Sequence, residues 1–512
     1  MPTNDYLKRI LLSRVYDICL ETALEPAVGL SKRLGNRVLL KREDTQPVFS
    51  FKLRGAYNKM VQLSDEQLRR GVIAASAGNH AQGVALSARH LGCEATIVMP
   101  ETSPAIKVAA VRRLGGTVVL SGESFSDCAK KTQELIAETG AVFIPPFDDE
   151  DVIAGQGTIG MEILRQNPGP LDAVFVPIGG GGLAAGVAVY IKQLRPEVKV
   201  IGVEPADSDD MRRSIAAGRP VEMREVGLFA DGVAVKRVGD LTFELCRECL
   251  DDIILVSTDQ ICGAIKDIFE DTRVVAEPAG ALSLAGLRAY ARKHGLQDKT
   301  LVAIVSGANM NFDRLGYVAD RAEIGSQREA LISVDIPEQV GSFRTLVKSI
   351  GKRSITEICT RSIDPQQAHV LVGLKIKDKE DGEQIVASLR ADGFGVTDLS
   401  DNELAKVHIR HLVGGNSPIA HDERLYRFAF PERPGALQNF LDAMHVDFNI
   451  TLFQYRYHGA DFGRVLVGIE VPPEKDKAFG EFLDRVEGMG YPYIDETGND
   501  AYRLFLGWHS AK

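Results

Sequence analysis

No apolar segment of this chain reaches the roughly 18 residues that a membrane-spanning helix needs, and the polar start Met1 to Asp5 does not resemble a secretion signal. Positive charge is in deficit: 60 Lys and Arg stand against 70 Asp and Glu, and a net charge of -10 argues against a nucleic-acid partner. Cysteine is scarce and odd in number, seven scattered over 512 residues, which suggests the reduced thiols of a cytoplasmic protein. Cys246 and Cys249 do form a C-x-x-C, but no second pair exists and both fall in the helix-like stretch Leu241 to Leu250, where packing explains them. What remains is an ordinary globular balance, 45% hydrophobic and 25% charged, with room for more than two domains.

The most informative stretch is Ser50-Phe51-Lys52-Leu53-Arg54-Gly55-Ala56, a lysine among small and apolar residues soon after the charged run Lys41-Arg42-Glu43-Asp44. An unperturbed lysine titrates at about 10.4. An apolar, partly desolvated setting disfavours the charged form and frees the amine to attack a carbonyl. Alone, the pattern reads first as a surface lysine in an Arg/Lys-rich helix start, since single motif matches are often accidental.

Three further segments change that balance. Ser76-Ala77-Gly78-Asn79-His80 follows the apolar run Gly71 to Ala75 and precedes a helix-like stretch from Ala81 to His90, so it reads as strand, tight turn, helix. A helix start offers unpaired N–H groups to a carboxylate, although Ser and Asn also favour such places as simple caps. Gly179-Gly180-Gly181-Gly182-Leu183 lies between the strand-like Ala173 to Ile178 and the helix-like Ala184 to Gln193. Successive glycines let backbone N–H groups converge on one anion, as in a phosphate cup. Val302 to Val305 is a buried-looking strand running into Ser306-Gly307-Ala308-Asn309, where Ser306 is either a strand-tip site residue or a helix cap. In open α/β sheets ligands lie beyond the carboxyl ends of strands, so the three turns could face one crevice.

The glycine run is ambiguous by itself. Gly179, Gly181 and Ala184 also satisfy G-x-G-x-x-A, and Glu204 ends the next strand-like run, where a ribose-binding acid would sit. A nicotinamide-dependent dehydrogenase is therefore a rival, but it gives no reason for Lys52 or the Ser76 segment.

With Lys52, Asn79, the glycine run and Ser306 together, the chain resembles the fold-type II enzymes that use pyridoxal 5′-phosphate, specifically the serine/threonine dehydratases. The resemblance covers most of the length. It implies two open α/β subdomains in a catalytic domain over residues 1–325, with the cofactor attached to Lys52. It further implies that Asn79 bonds the cofactor's phenolic oxygen, that Gly179, Gly180, Gly181, Gly182 and Leu183 hold its phosphate, and that Ser306 faces the pyridine nitrogen. Ser76, Asn79 and the turn's N–H groups would hold the substrate carboxylate, with His80 beside them. A serine, unlike a carboxylate, does not favour a protonated ring, which tilts the chemistry toward β-elimination. From L-threonine the products would be 2-oxobutanoate and ammonia, with L-serine a secondary substrate.

Serine racemase relatives carry a second serine where this chain has Ala77, and a methyl group cannot move protons. Elimination is favoured over racemisation, and a serine-preferring dehydratase or racemase stays as the nearest alternative. Glu204 and Asp210, with the Ser208 carbonyl between, match the spacing of a cation site in the racemase-like branch. The acidic loop Asp207, Asp209, Asp210 reads more simply as solvated, and no metal is expected.

Beyond the charged stretch Asp320 to Glu329 the chain duplicates itself. Pro337-Glu338 and Gly341 recur as Pro431-Glu432 and Gly435; Ile355-Thr356 and Arg361 recur as Ile450-Thr451 and Arg456; Val370 to Gly373 recurs as Val465 to Gly468. Each copy, over 326–410 and 421–512, reads as strand, Gly-containing turn, amphipathic helix and two alternating strands, an α+β pattern. The loop His411 to Arg424 separates them. The copies resemble the paired ACT-like regulatory subdomains of biosynthetic threonine dehydratase. That resemblance implies a homotetramer in isoleucine biosynthesis, inhibited by isoleucine and opposed by valine, with Gly341 and Gly435 preceding helix starts suited to an amino-acid carboxylate. A module serving only subunit assembly, or an amino-acid-binding protein with a degenerate enzyme domain, would carry the same duplication.

Overall fold

The computed structural model describes residues 2–325, 328–337, 345–346, 349–350, 353, 355–361, 367–411, 422–431, 440, 443–444, 448–456 and 462–506. The chain forms two compact units that part between Asn311 and Phe312, earlier than the 325/326 boundary read from the charged stretch.

The first unit contains β1 (Leu24–Pro26), β2 (Arg37–Arg42), β3 (Val72–Ala75), β4 (Ala95–Met99), β5 (Thr117–Leu120), β6 (Val142–Phe143), β7 (Ala173–Pro177), β8 (Lys199–Pro205), β9 (Asp252–Val256) and β10 (Thr300–Val305). They build two sheets, ordered β1-β2-β10-β7-β8-β9 and β5-β4-β3-β6. Every pairing is parallel except that of β1 with β2. Parallel strands covered by helices on both faces read as unbroken apolar runs, and every residue of β3, β7 and β10 is buried. The two open α/β subdomains expected from sequence are these two sheets, each with its own core. One core gathers Val174, Val187 and Ile304, the other Ala74, Val84 and Ile97.

The second unit holds β11 (Glu329–Pro337), β12 (Ile355–Arg361), β13 (Gln367–Lys375), β14 (Gly395–Asp398), β15 (Glu423–Pro431), β16 (Asn449–Arg456), β17 (Phe462–Glu470) and β18 (Tyr493–Asp495). The duplication is structural: the sheets run β12-β13-β11-β14 and β16-β17-β15-β18, antiparallel throughout. Even the irregularity repeats. The pairing slips between Ile355 and Glu357 in one copy and between Ile450 and Leu452 in the other, so Thr356 and Thr451 are equivalent bulged residues. Each copy has its own core, and a third cluster, with Leu371, Leu404, Leu425, Leu466 and Phe505, draws on both. Gly341, Gly435 and residues 412–421 of the expected linker lie outside the described residues. No described helix is long and apolar enough to cross a membrane.

Candidate active site

Lys52 opens the helix Lys52–Met60, directly after a strip that is fastened to the tip of β10. Phe51 N–H donates to Ser306 O (3.1 Å), and Ala308 N–H donates to Phe49 O (2.9 Å). The strand end carrying Ser306 and the helix start carrying Lys52 are thereby one local structure. Two residues further on, Arg54 is fully buried and donates to Glu43 (2.8 and 2.7 Å) and to Glu162 (2.6 and 3.0 Å). Lys41 completes the group by donating to Glu162 (2.5 Å), so two cations and two carboxylates balance inside the core. Gly155 permits this contact, since a methyl group there would come 2.7 Å from the Arg54 carbonyl oxygen.

The Lys52 amine donates to Pro146 O at 2.8 Å and lies 5.4 Å from the Phe51 ring centroid. Desolvation lowers its pKa to about 8, as the apolar setting of the motif leads one to expect. His80 is buried, its Nε2 2.8 Å from Ile144 O. Burial, and then the charge of Lys52, push its pKa down to about 3, so the ring is neutral at physiological pH and Nε2 carries the proton donated to Ile144.

The carbonyls bonded to Lys52 and His80 belong to one hexapeptide, Ile144-Pro145-Pro146-Phe147-Asp148-Asp149. Its Phe147 ring lies against the glycine run: a methyl group on Gly180 would sit 2.2 Å from the ring. Asp148 accepts from the N–H groups of Asp240, Leu241 and Thr242 (3.0 to 3.2 Å), and Thr242 Oγ1 donates to Gly180 O (2.6 Å). Gly181 has φ +96° and caps the helix Gly182–Leu194, a backbone conformation that side chains avoid. The strand, turn and helix expected around the run are all present.

The same holds for the Ser76 turn, which joins β3 to the helix Asn79–Leu91. Ser76 Oγ accepts from Gly78 N–H (3.2 Å) rather than capping that helix, whose N-cap is Gly78 with no side-chain bond. Asn79 Nδ2 donates to Glu277 Oε1 (2.6 Å), and Asn79 Oδ1 accepts from Asn309 Nδ2 (2.7 Å). Ser306 is buried at the end of β10 and donates a long 3.3 Å bond to Ala279 O. No α-helix begins at Ser306, so the capping alternative for it falls.

Two other expectations change. Glu204 accepts from the N–H groups of Met211 (2.8 Å) and Arg212 (3.0 Å) and is fully buried, so both oxygens are occupied at a helix start and none is offered to a ribose. The acidic loop is not solvated as a whole. Asp210 is fully buried and Asp209 nearly so; desolvation and then the charge of Asp210 raise the Glu204 carboxyl pKa to about 9, and desolvation, with the charge of Asp209, raises that of Asp210 to about 7. Among the described residues no cluster of three or more His, Cys, Asp or Glu is arranged to hold a metal ion. Cys246 and Cys249 are buried and free.

Residues 15–307 match the family described as pyridoxal-phosphate dependent enzyme, and residues 320–409 and 415–506 match the C-terminal regulatory domain of threonine dehydratase. The biosynthetic L-threonine dehydratase of Burkholderia multivorans is 56% identical over 99% of this chain and all of that protein. That of Escherichia coli K12 is 51% identical over 98% of this chain and 97% of the relative. The chain belongs to the biosynthetic threonine dehydratase family. Among solved structures, tomato threonine deaminase isoform 2 superposes with TM-score 0.62 at 51% identity, covering 63% of this chain and 89% of that one. A serine racemase from Dictyostelium discoideum superposes at 0.56 with 33% identity, covering 60% of this chain and 99% of that one.

A threonine dehydratase of this family depends on pyridoxal phosphate, and the residues present suit that group. A desolvated amine stands by for the aldehyde, a helix that begins at Gly182 after three further glycines suits a phosphate, and Ser306 follows the strand whose tip carries the lysine strip. Sequence reasoning missed Glu277, Pro146, Phe147 and any role for Asn309. The Glu277-Pro278 start of the helix Pro278–Lys293 and the double proline at 145–146 were the available signals.

Proposed function

We propose that this threonine dehydratase converts L-threonine to 2-oxobutanoate and ammonia, using Lys52 as the attachment and proton-transfer residue. The observation carrying the reading is the desolvated Lys52 amine, held beside Ser306 and the hexapeptide that also packs on the glycine run.

The cofactor, once bound, supplies an electron-withdrawing ring conjugated to the substrate nitrogen. Lys52 takes the proton from the substrate Cα, its pKa near 8 leaving a reactive free-amine fraction at neutral pH. The Cβ–OH bond then breaks, and the hydroxyl leaves as water with a proton equivalent to the one Lys52 took from Cα, so the amine is free again. Water later replaces nitrogen at the former Cα, so the atoms balance as threonine to 2-oxobutanoate plus ammonia. Ser76 and the N–H groups at the start of the Asn79 helix bind the carboxylate and fix which bond at Cα lies next to the lysine. Asn79, the run Gly179 to Leu183 and Ser306 bind the cofactor. Neutral His80 braces the turn by donating to Ile144 O and carries no charge to the substrate. Ala77 offers no second proton donor beside Ser76, which supports elimination over racemisation.

The duplicated β11–β14 and β15–β18 units are proposed to bind isoleucine as inhibitor and valine as its antagonist, in a cytoplasmic homotetramer. The match to a threonine dehydratase regulatory domain supports this. Catalysis is proposed to lie in residues 1–325 and regulation in 326–410 and 421–512.

An absorbance spectrum of the purified protein beside Lys52→Ala, each with added threonine, tests the reading. The expected result is a visible cofactor band that threonine perturbs with release of 2-oxobutanoate, and no turnover by the variant. A colourless wild-type protein that stays inert with added pyridoxal phosphate overturns it. Adding isoleucine, then valine, to the active enzyme tests the regulatory part.

A further inference from the structure

A side-chain amide is nearly symmetric in shape but not in polarity, so what it offers a ligand depends on which end its neighbours hold. Asn79 is held at both ends. Its Nδ2 faces Glu277 Oε1 at 2.6 Å, and an ionised carboxylate only accepts. Its Oδ1 faces Asn309 Nδ2 at 2.7 Å, and that amide is oriented by a group without ambiguity, because the same Nδ2 donates to the backbone carbonyl of Val48 at 2.8 Å. The chain Val48 O, Asn309, Asn79, Glu277 thus begins and ends on an acceptor, and only one setting of the two amides satisfies every link. In that setting the Asn79 oxygen is occupied, and one of its two N–H bonds is taken by Glu277. The second N–H remains for a ligand.

We propose that Glu277 and Asn309 are positioning residues that fix the Asn79 amide so that it presents N–H, not oxygen, to an anionic or phenolic oxygen of the cofactor. This rests on the cofactor reading above. Neither residue need touch the reacting atoms. Glu277 is anchored where it acts: its N–H donates to Gly307 O (3.1 Å), and a methyl group on Gly307 would lie 2.3 Å from its Oε1. Asn309 follows Ser306 on the same strand tip, so the segment that carries the expected ring-nitrogen partner also sets the polarity at the phenolic oxygen.

The test is cofactor binding without substrate, read as the dissociation constant of pyridoxal phosphate and the absorbance of the bound form between pH 7 and 10. Asn309→Asp is isosteric but inverts the polarity, setting an acceptor against Val48 O and Asn79 Oδ1. It is expected to weaken binding by roughly 10-fold or more and to displace the bound-form titration, as loss of a hydrogen bond to a charged oxygen would. Glu277→Leu is expected to do the same, and Glu277→Gln, which keeps an acceptor oxygen, to recover most of the loss. A merely structural role predicts no such rescue and no change in the titration.

If Asn309→Asp does not fold by circular dichroism, the Glu277 pair decides. Binding by Glu277→Leu within about 2-fold of wild type, with an unchanged spectrum, overturns the proposal. A wild-type protein that binds no pyridoxal phosphate overturns both the proposal and the reading beneath it.

Discussion

The Lys52 amine donates to the carbonyl oxygen of Pro146, 2.8 Å away, and among the described residues no carboxylate pairs with it. A carbonyl stabilises an ammonium far less than an opposite charge would, so desolvation governs the titration and brings it to about 8. Capture of the cofactor by the apoprotein, followed by borohydride reduction at the lysine, should therefore speed up as pH rises through about 8. The unfolded chain holds its proton up to about 10.4. Between those values the unfolded state binds more protons, and the apoprotein should gain stability with rising pH. Lys52→Met should remove that slope and raise the thermal midpoint at pH 7.

Removing Arg54 should be severe. Arg54→Met leaves Glu43 and Glu162 buried with Lys41 as the one cation of the cluster. Uncompensated buried charge costs about 3–5 kcal/mol, to be read as a lower thermal midpoint. Replacing Arg54 and Glu43 together by apolar residues of similar volume should recover much of it, because Lys41 still balances Glu162.

At the glycine run the expected effect is steric and reversible. Gly180→Ala should abolish tight cofactor binding, since its methyl group meets the Phe147 ring. Trimming the ring in Gly180→Ala/Phe147→Leu should restore part of the affinity in a cofactor titration. Gly181→Ala should not be rescued this way, because its φ of +96° is a backbone demand worth on the order of 1–3 kcal/mol.

Glu204 and Asp210 set a second pH dependence, of opposite sign. Desolvation, before any neighbouring charge, raises both carboxyl pKa values above the ordinary ~4. The folded state then binds protons that the unfolded state has released, so this contribution is full at low pH and declines as pH rises through the raised values. The slope should not exceed about 1.4 kcal/mol per pH unit for each proton. Thermal midpoints from pH 5 to 9 should fall less steeply in Glu204→Gln than in wild type.

Sequence disclosed the parts whose signal is local. β3, β7 and β10 are apolar runs ending in small-residue turns, and the register of the duplication shows up as matched bulges at Thr356 and Thr451. Asn79, Lys52 and Ser306 stood out as candidates because each sits in a short motif at a strand end or helix start. Glu277 was not, because its contact with Asn79 spans 198 residues and links the two sheets of the first unit. The acidic loop was misread for the same reason: nothing near Asp210 in sequence announces that it is packed away beside Glu204.

The hexapeptide from Ile144 to Asp149 meets Lys52 and His80 through main-chain carbonyls. An alanine scan leaves both carbonyls in place and reports only on the side chains, such as the core packing of Ile144, so the part played by the segment's path escapes it. Inserting or deleting one residue would move both acceptors at once. Homologues should therefore hold the length of this segment fixed.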